Sequence, residues 1–134
     1  MKIVIDSNVL ISGLISRGVS SRVLDICIDK HSVYISEFII SEVIEKLENK
    51  INIPQMDLRR INKFLTDSFI FISPQGDMPD ICRDKDDNNI LFLSHFINAN
   101  LLISGDKDLS ELKVYNEILI ITPREFLENY SDQK

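Results

Sequence analysis

Residues 2–14 read KIVIDSNVLISGL, and this stretch decides the fold. Residues 2–6 are a short apolar run that ends in a carboxylate, which is typical of a buried strand. Over residues 9–14 the apolar side chains recur at helical spacing, and Ser7 or Asn8 is a suitable helix cap. The stretch is therefore interpreted as a buried strand that leads directly into a helix.

The same alternation of strand and helix continues along the chain. Helical apolar stripes follow within residues 23–28, 39–47, 58–65 and 90–97, and a capping box at 122–125 with proline at the first helical position opens the last helix. Four further short apolar runs are interpreted as strands: 32–35, 69–72, 101–104 and 118–121. Apolar strands that alternate with helices predict an α/β fold, with a central parallel sheet between two layers of helices.

Composition sets limits on the class of protein. The chain has 134 residues, 44% of them hydrophobic, and the 15 basic and 21 acidic residues give a formal charge of −6. This length fits one domain over residues 1–134, with a core over about 2–127 and a short C-terminal tail. The apolar content excludes a disordered chain, and the acidic balance argues against nucleic-acid binding by bulk charge alone. Cys27 and Cys82 have no ligand-like spacing and are interpreted as ordinary reduced thiols.

Four acidic residues lie where a parallel sheet would place a site. Asp6 ends the first strand, and Asp106 directly follows the fourth. Glu42 lies in the second turn of the helix after the second strand, and Asp87 at the start of the helix after the charged loop. Because ligands bind beyond the carboxyl ends of parallel strands, we expect these side chains to converge there.

Converging carboxylates repel one another in a cleft, and a divalent cation removes that repulsion. Ligands that offer only oxygen select a hard ion, so Mg²⁺ or Mn²⁺ is expected and zinc is not. Such a site is typical of phosphoryl-transfer chemistry. The sequence has neither the GxxxxGK[ST] phosphate loop nor the GxSxG nucleophile motif.

Each acid also has an ordinary structural explanation. An aspartate at a strand end is often a turn former or a helix cap. Glu42 and Glu45 lie at adjacent helical angles, so periodicity does not choose between them. The acidic run at 84–87 would usually be a hydrated loop, and Asp106 with Asp108 would be a turn followed by a cap.

Four segments in order resemble the PIN-domain ribonucleases, and most closely the toxins of toxin–antitoxin systems (VapC-like). The resemblance spans residues 2 to about 127. The segments are IVIDSNVLISGL at 3–14, ISEFIISEVIEKL at 35–47, RDKDDNNILFLSHFINANLLISGDKDL at 83–109 and IITPREFL at 120–127.

The resemblance implies Mg²⁺- or Mn²⁺-dependent hydrolysis of RNA by a PIN domain. It implies that Asp6, Asp87 and Asp106 bind the metal and that Glu42 completes the catalytic set and orients the attacking water. The supporting positions that it implies are Ser7, Asn8, Asp86, Asn88, Ser104 and Asp108, of which Asp86 and Asn88 are alternatives for the third acid. The basic residues expected to grip the RNA backbone from nearby loops are Arg17, Arg83, Lys85 and Lys107.

The resemblance also implies partners. A toxin would be blocked by a small antitoxin with a basic tail, and homodimers are frequent, with Phe38 or Ile39 as interface residues that could equally be core. We expect a cytoplasmic protein with no signal peptide and no membrane segment. Two other functions stay open: a non-catalytic PIN-like module that binds RNA or protein, and a phosphatase, although Asn8 replaces the second aspartate of a DxDxT signature.

Overall fold

The computed structural model describes residues 1–131 of the chain. The strands are β1 (Lys2–Ile5), β2 (Ser32–Ile35), β3 (Ile70–Phe71), β4 (Leu101–Ile103), β5 (Val114–Tyr115) and β6 (Ile118–Ile121). The helices are α1 (Ser7–Ile15), α2 (Val19–Lys30), α3 (Glu37–Asn49), α4 (Gln55–Ser68), α5 (Lys85–Phe96), α6 (Lys107–Ser110) and α7 (Pro123–Tyr130).

The strands form one sheet in the order β3-β2-β1-β4-β6-β5. All neighbouring pairs are parallel except β5 and β6, which are antiparallel. The α/β class and the central, mainly parallel sheet are therefore confirmed. Strand β1 lies at the centre of this order, beside β2 and β4, so its carboxyl end is flanked by two other strand ends.

Two short elements near the end of the sheet are not predicted by the sequence pattern. Helix α6 is a single turn, and β5 is a two-residue strand that pairs back onto β6. Asn116 and Glu117, which join β5 to β6, have φ values of 47° and 70°, as a tight hairpin turn requires. The usual glycine is missing from this turn, so the hairpin lacks its common sequence signal.

The capping residues explain where two helices begin. Ser36 accepts a hydrogen bond from the Ile39 amide at the start of α3. At the start of α7, Thr122 and Glu125 form the predicted reciprocal capping box. Helix α7 continues to Tyr130, which stacks on Phe126 at a ring separation of 5.8 Å. The folded part thus extends three residues past the predicted core limit, while residues 132–134 of the predicted tail lie outside the described residues.

Buried strands show that helices cover both faces of the sheet. Ile3, Val4 and Ile5 are consecutive, so they point alternately to opposite faces, and each is at most 1% exposed. Ile39 on α3 is fully buried as well. Of the two roles left open for Ile39, interface or core, the structure therefore shows the core, whereas Phe38 is half-buried.

Both cysteines are free thiols in the described chain. Burial raises the pKa of Cys27 to about 12, so this thiol is an inert core group. Within residues 1–131 no helix combines the length and the apolar character needed to cross a membrane.

Candidate metal centre

The pairing of β1 with β4 brings two distant parts of the chain to one edge. Ile5 pairs with Ile103, so the residues that follow them, Asp6 and Ser104, also lie side by side. The Asp6 amide donates to the Ile103 carbonyl at 2.9 Å, which extends the pairing by one step. Both side chains are buried at the carboxyl edge of the sheet, as expected for a site in a parallel sheet.

The Ser104 hydroxyl connects two of the predicted acids. It donates to Asp6 Oδ2 at 2.7 Å and accepts from the Asp106 backbone amide at 3.0 Å. Asp106 Oδ1 in turn accepts from the Asp108 amide at 2.8 Å and caps helix α6. The turn after β4 is therefore held in one geometry, with Asp106 and Asp108 both facing the site.

Asp87 approaches the same place from α5. Asp84 caps this helix by accepting the Asp86 amide at 2.9 Å, and Asp87 lies in the first turn. Carboxylate oxygens of Asp87, Asp106 and Asp108 lie within 4.8 Å of one another. We call these three residues, together with Asp6, the acidic cluster.

The acidic cluster is electrostatically unfavourable on its own. Burial raises the pKa of Asp87 to about 7, and repulsion from Asp106 and Asp6 adds to this effect. Asp87 is 5% exposed, and its buried Oδ2 has no hydrogen-bond partner among the described residues. A buried, unpartnered carboxylate oxygen that faces other carboxylates needs a proton or a cation.

The pKa of Asp6 is raised for the same reason, and two hydrogen bonds partly offset this rise. Burial is the main cause of its raised pKa, and the negative charge of Asp106 contributes. The Ser104 hydroxyl and the Asn8 amide act in the opposite direction by stabilising the charged form.

Glu42 lies in a second acidic group beside the cluster. Burial raises the pKa of Glu42, and the neighbouring Asp86 raises it further, while Ser7 and Lys46 favour the charged form. The Glu42 side chain is 11% exposed and 3.9 Å from Lys46 Nζ. Glu45, which periodicity alone does not separate from Glu42, is exposed. The structure therefore brings Glu42, and not Glu45, toward the site.

Lys46 is a site residue that the sequence analysis missed. Its Nζ also donates to Asn8 Oδ1 at 3.2 Å, and its charge favours ionised Asp6. The sequence spacing could have indicated this residue, because Lys46 follows Glu42 by four positions, which is about one helical turn. The charge of Lys46 thus acts on both acidic groups.

Of the predicted supporting residues, Asn88 has a structural role and Ser7 lies buried next to Glu42. Asn88 Oδ1 accepts from the amides of Ile81 and Cys82 at 3.1 and 2.9 Å, so this side chain holds the loop that precedes α5. Asn88 is therefore not an alternative third acid in this geometry. Ser7 is fully buried at the start of α1, and its Oγ lacks a hydrogen bond of good geometry within residues 1–131.

Comparison with known proteins assigns this arrangement to a family. The sequence matches the PIN domain over residues 2–108, which include all four acids of the cluster and Glu42. The chain belongs to the PIN domain family. This match confirms the family resemblance that the sequence segments predict. PIN domains are generally nucleases.

Two individual proteins extend the comparison. The uncharacterized protein MJ1680 of Methanocaldococcus jannaschii is 35% identical over 144 residues, which cover 97% of this chain and 92% of that protein. A chain in the crystal structure of VapBC2 from Rickettsia felis bound to a DNA fragment from their promoter has a TM-score of 0.59 at 13% identity. That match covers 91% of this chain and 98% of the other, and it shows a shared fold.

The donor set of this PIN domain suits a hard divalent cation. The four residues of the acidic cluster provide carboxylate oxygens, which Mg²⁺ and Mn²⁺ prefer as ligands. The predicted ligand set was Asp6, Asp87 and Asp106, whereas the three carboxylates found within 4.8 Å of one another are those of Asp87, Asp106 and Asp108. Asp6 is linked to Asp106 through the Ser104 hydroxyl. Asp108, which the sequence suggested only as a supporting residue, is one of the three clustered carboxylates.

Basic side chains surround part of the acidic cluster. Arg83 is 88% exposed, and one of its guanidinium nitrogens contacts Asp108 Oδ1 at 2.8 Å. Lys85 and Lys107 are exposed at the first residues of α5 and α6. Arg17 is exposed beyond the far end of α1, a helix about 14 Å long that starts directly after Asp6. The structure thus brings three of the four predicted basic residues to the elements that carry the cluster, and leaves Arg17 at a distance.

Proposed function

We propose that this PIN domain is a Mg²⁺- or Mn²⁺-dependent endoribonuclease and the toxin of a toxin–antitoxin pair. The observation that carries the proposal is the acidic cluster itself. Four carboxylates from three separate segments of the chain lie at one sheet edge: Asp6 after β1, Asp87 in α5, and Asp106 with Asp108 at the start of α6. The buried Oδ2 of Asp87 has no partner within residues 1–131. A structure without a function for this edge gains nothing from such repulsion.

The proposed metal ligands are Asp87, Asp106 and Asp108, with Asp6 completing the site. A bound Mg²⁺ or Mn²⁺ supplies charge stabilisation at the scissile phosphate and lowers the pKa of a water molecule. Ser104 fixes Oδ2 of Asp6 as a hydrogen-bond acceptor, so the other oxygen of Asp6 is the one available to a ligand. Arg83 neutralises part of the charge of Asp108 without burying it.

Glu42 is the proposed proton acceptor for the attacking water. A general base works best when its pKa is close to the operating pH, and burial shifts the pKa of Glu42 in that direction. Lys46 limits the shift because its ammonium group favours the charged carboxylate. Burial and Lys46 thus act on the pKa of Glu42 in opposite directions.

The exposed cations would hold the RNA backbone. Lys85 and Lys107 begin helices whose first turns carry cluster aspartates, so phosphates next to the scissile bond would meet them and Arg83. In a chain of charge −6 these residues position RNA at short range and do not attract it from a distance.

The antitoxin is a further part of the proposal. The Rickettsia felis structure that shares this fold is a VapBC2 complex with promoter DNA. By analogy, a small partner with a basic tail would cover the acidic edge of this chain and compete with the metal and the RNA. A cytoplasmic location and a homodimer belong to the same proposal.

The test is cleavage of single-stranded RNA and total RNA with Mn²⁺, Mg²⁺ or EDTA. The wild-type protein should give internal cleavage products with either metal and none with EDTA, and Asp6→Asn should give none. The matched control is Asp25→Asn, which removes one exposed acid from α2 and should cleave as the wild type does. Absence of metal-dependent products from the wild type would contradict the proposal. RNA binding without cleavage would favour the non-catalytic module.

A further inference from the structure

A small cavity lies beside the acidic cluster at the same sheet edge. Its volume is about 190 Å³, which is below the roughly 300–1,000 Å³ of sites for drug-sized ligands and suits a single ring system. Its wall includes Ser36, Glu37, Phe38, Pro74, Asn89 and Phe92. We call it the edge cavity.

Strand register places the edge cavity next to Asp6. Val4 pairs with Tyr34 in the parallel pair of β1 and β2, so Asp6 and Ser36 are the matching residues two steps further along. Adjacent strands are about 4.8 Å apart. Asn89, on the other side of the cavity, lies two residues after Asp87 on α5, so their side chains leave the helix on opposite sides. Ser36 is therefore the wall residue that lies nearest to Asp6 in the strand register, one strand away.

The walls of the edge cavity offer flat apolar surfaces. Phe38 and Phe92 are both half-buried, each with part of its ring surface turned to the cavity, and Pro74 adds a third apolar contact. Unpaired nucleobases in single-stranded RNA stack on such aromatic side chains, irrespective of sequence. A simple aliphatic ligand would not need two rings at this position.

The polar groups at the cavity wall favour a hydrogen-bond donor. Glu37 uses Oε1 to accept from the Ser41 hydroxyl at 3.2 Å, and within residues 1–131 its Oε2 has no partner. The Asn89 amide nitrogen donates one of its two hydrogens to the Lys85 carbonyl at 3.3 Å, which leaves its second hydrogen and its oxygen for a ligand. Glu37 Oε2 and Asn89 Oδ1 are both acceptors. They match the exocyclic amino groups of adenine, cytosine and guanine better than the carbonyl edge of uracil.

We propose that the edge cavity is a nucleobase subsite, which holds the base next to the scissile phosphate between Phe38 and Phe92 and selects an amino-bearing base through Glu37. The inference rests on the proposed function for the position of the phosphate. It goes beyond that function because it assigns base selection to residues outside the acidic cluster.

The binding test uses end-labelled pentauridylates in EDTA, where no metal-dependent cleavage occurs. Three ligands with equal phosphate charge carry adenine, uracil or an abasic residue at the central position, and fluorescence anisotropy gives their Kd. The wild-type protein should bind the adenine ligand about fivefold or more tightly than the abasic ligand. Phe92→Ala should abolish this difference. Glu37→Gln, an exposed change that preserves folding, should reduce the preference for adenine over uracil.

The matched control is Glu45→Gln, which removes an exposed carboxylate from the same helix without touching the edge cavity. It should retain the wild-type preference. Equal wild-type affinity for the adenine and abasic ligands would overturn the inference, and so would an unchanged preference in Glu37→Gln. Cleavage is not needed for this result. Base-dependent binding without metal-dependent products would contradict the proposed nuclease and support the subsite. Metal-dependent products without base-dependent binding would support the nuclease and contradict the subsite.

Discussion

Replacing Asp87 with asparagine tests the electrostatic argument for the metal centre. Burial and four neighbouring aspartates raise the pKa of Asp87 from 3.8 to about 7. Above pH 7 the folded protein must hold this group ionised in an unfavourable place, whereas the unfolded chain does so at no cost. Asp87→Asn keeps the shape, removes the charge and supplies amide hydrogens to the neighbouring carboxylates. We expect the metal-free variant to be more stable than the wild type at pH 8.

The size of the gain follows from the shift. About three pKa units correspond to a ceiling near 4 kcal/mol, at about 1.4 kcal/mol per unit. Solvent at the open edge of the sheet screens part of this interaction, so we expect a gain of about 1–2 kcal/mol in the free energy of unfolding. For a domain of this length, that is a rise in Tm of roughly 3–8 °C.

The pH dependence fixes the sign of the effect. A raised pKa in the folded state means that folding takes up a proton between pH 4 and pH 7, so stability increases as the pH falls through about 7. Near pH 5 wild-type Asp87 is protonated in the folded state but still ionises in the unfolded chain, so the difference between wild type and Asp87→Asn should fall to roughly a third to a half of its value at pH 8 and vanish only below about pH 4. Thermal unfolding in EDTA at pH 8 and pH 5, followed by circular dichroism, measures both values.

Two outcomes would refute this reasoning. Equal stability of the two proteins at pH 8 would show that the Asp87 carboxylate is not under strain. A stability difference of the same size at pH 5 would show that packing, and not charge, is its cause. Asp25→Asn should show neither the gain at pH 8 nor its reduction at pH 5.

Three further substitutions test the surroundings of the site. Ser104→Ala removes the hydroxyl that links two acids, and Mn²⁺ affinity measured by calorimetry should fall about 10–100-fold; unchanged affinity would contradict the linking role. Asn88→Ala leaves two loop amides unpaired and should cost about 1–3 kcal/mol in urea unfolding, whereas a cost near zero would mean that water replaces the side chain. Gly13→Ala would place its Cβ 2.4 Å from Leu24 Cδ1 and should lower stability by about 1–3 kcal/mol; a stabilised variant would show that α2 shifts freely.

Much of the fold is predictable because its signals are local. The apolar runs that become β1 and β6, the serine cap of α3 and the capping box of α7 each depend on a few adjacent residues. Helix α6 and strand β5 lack such signals. They are only four and two residues long, and long-range contacts with β6 stabilise them more than local preference does.

Some residues of the candidate site are also predictable from the sequence, and others are identified only by the structure. Strand-end positions identified Asp6 and Asp106, since the carboxyl edge of a parallel sheet is known once the strands are known. Sequence spacing does not determine which of two glutamates three residues apart turns inward, and only the structure separates half-buried Glu42 from exposed Glu45. The position of Asp108 beside the other carboxylates depends on the backbone turn at Ser104, which is a tertiary feature.

The central pairing of β1 with β4 joins segments that are about one hundred residues apart in the chain. During synthesis the ribosome releases Asp6 early, and the strand that aligns it with Asp106 emerges only after three quarters of the chain. A nascent or truncated product that stops before β4 carries Asp6, Glu42 and Asp87 but lacks Asp106 and Asp108, as well as the partner strand of β1. Only chains that are nearly finished can therefore present a complete acidic cluster.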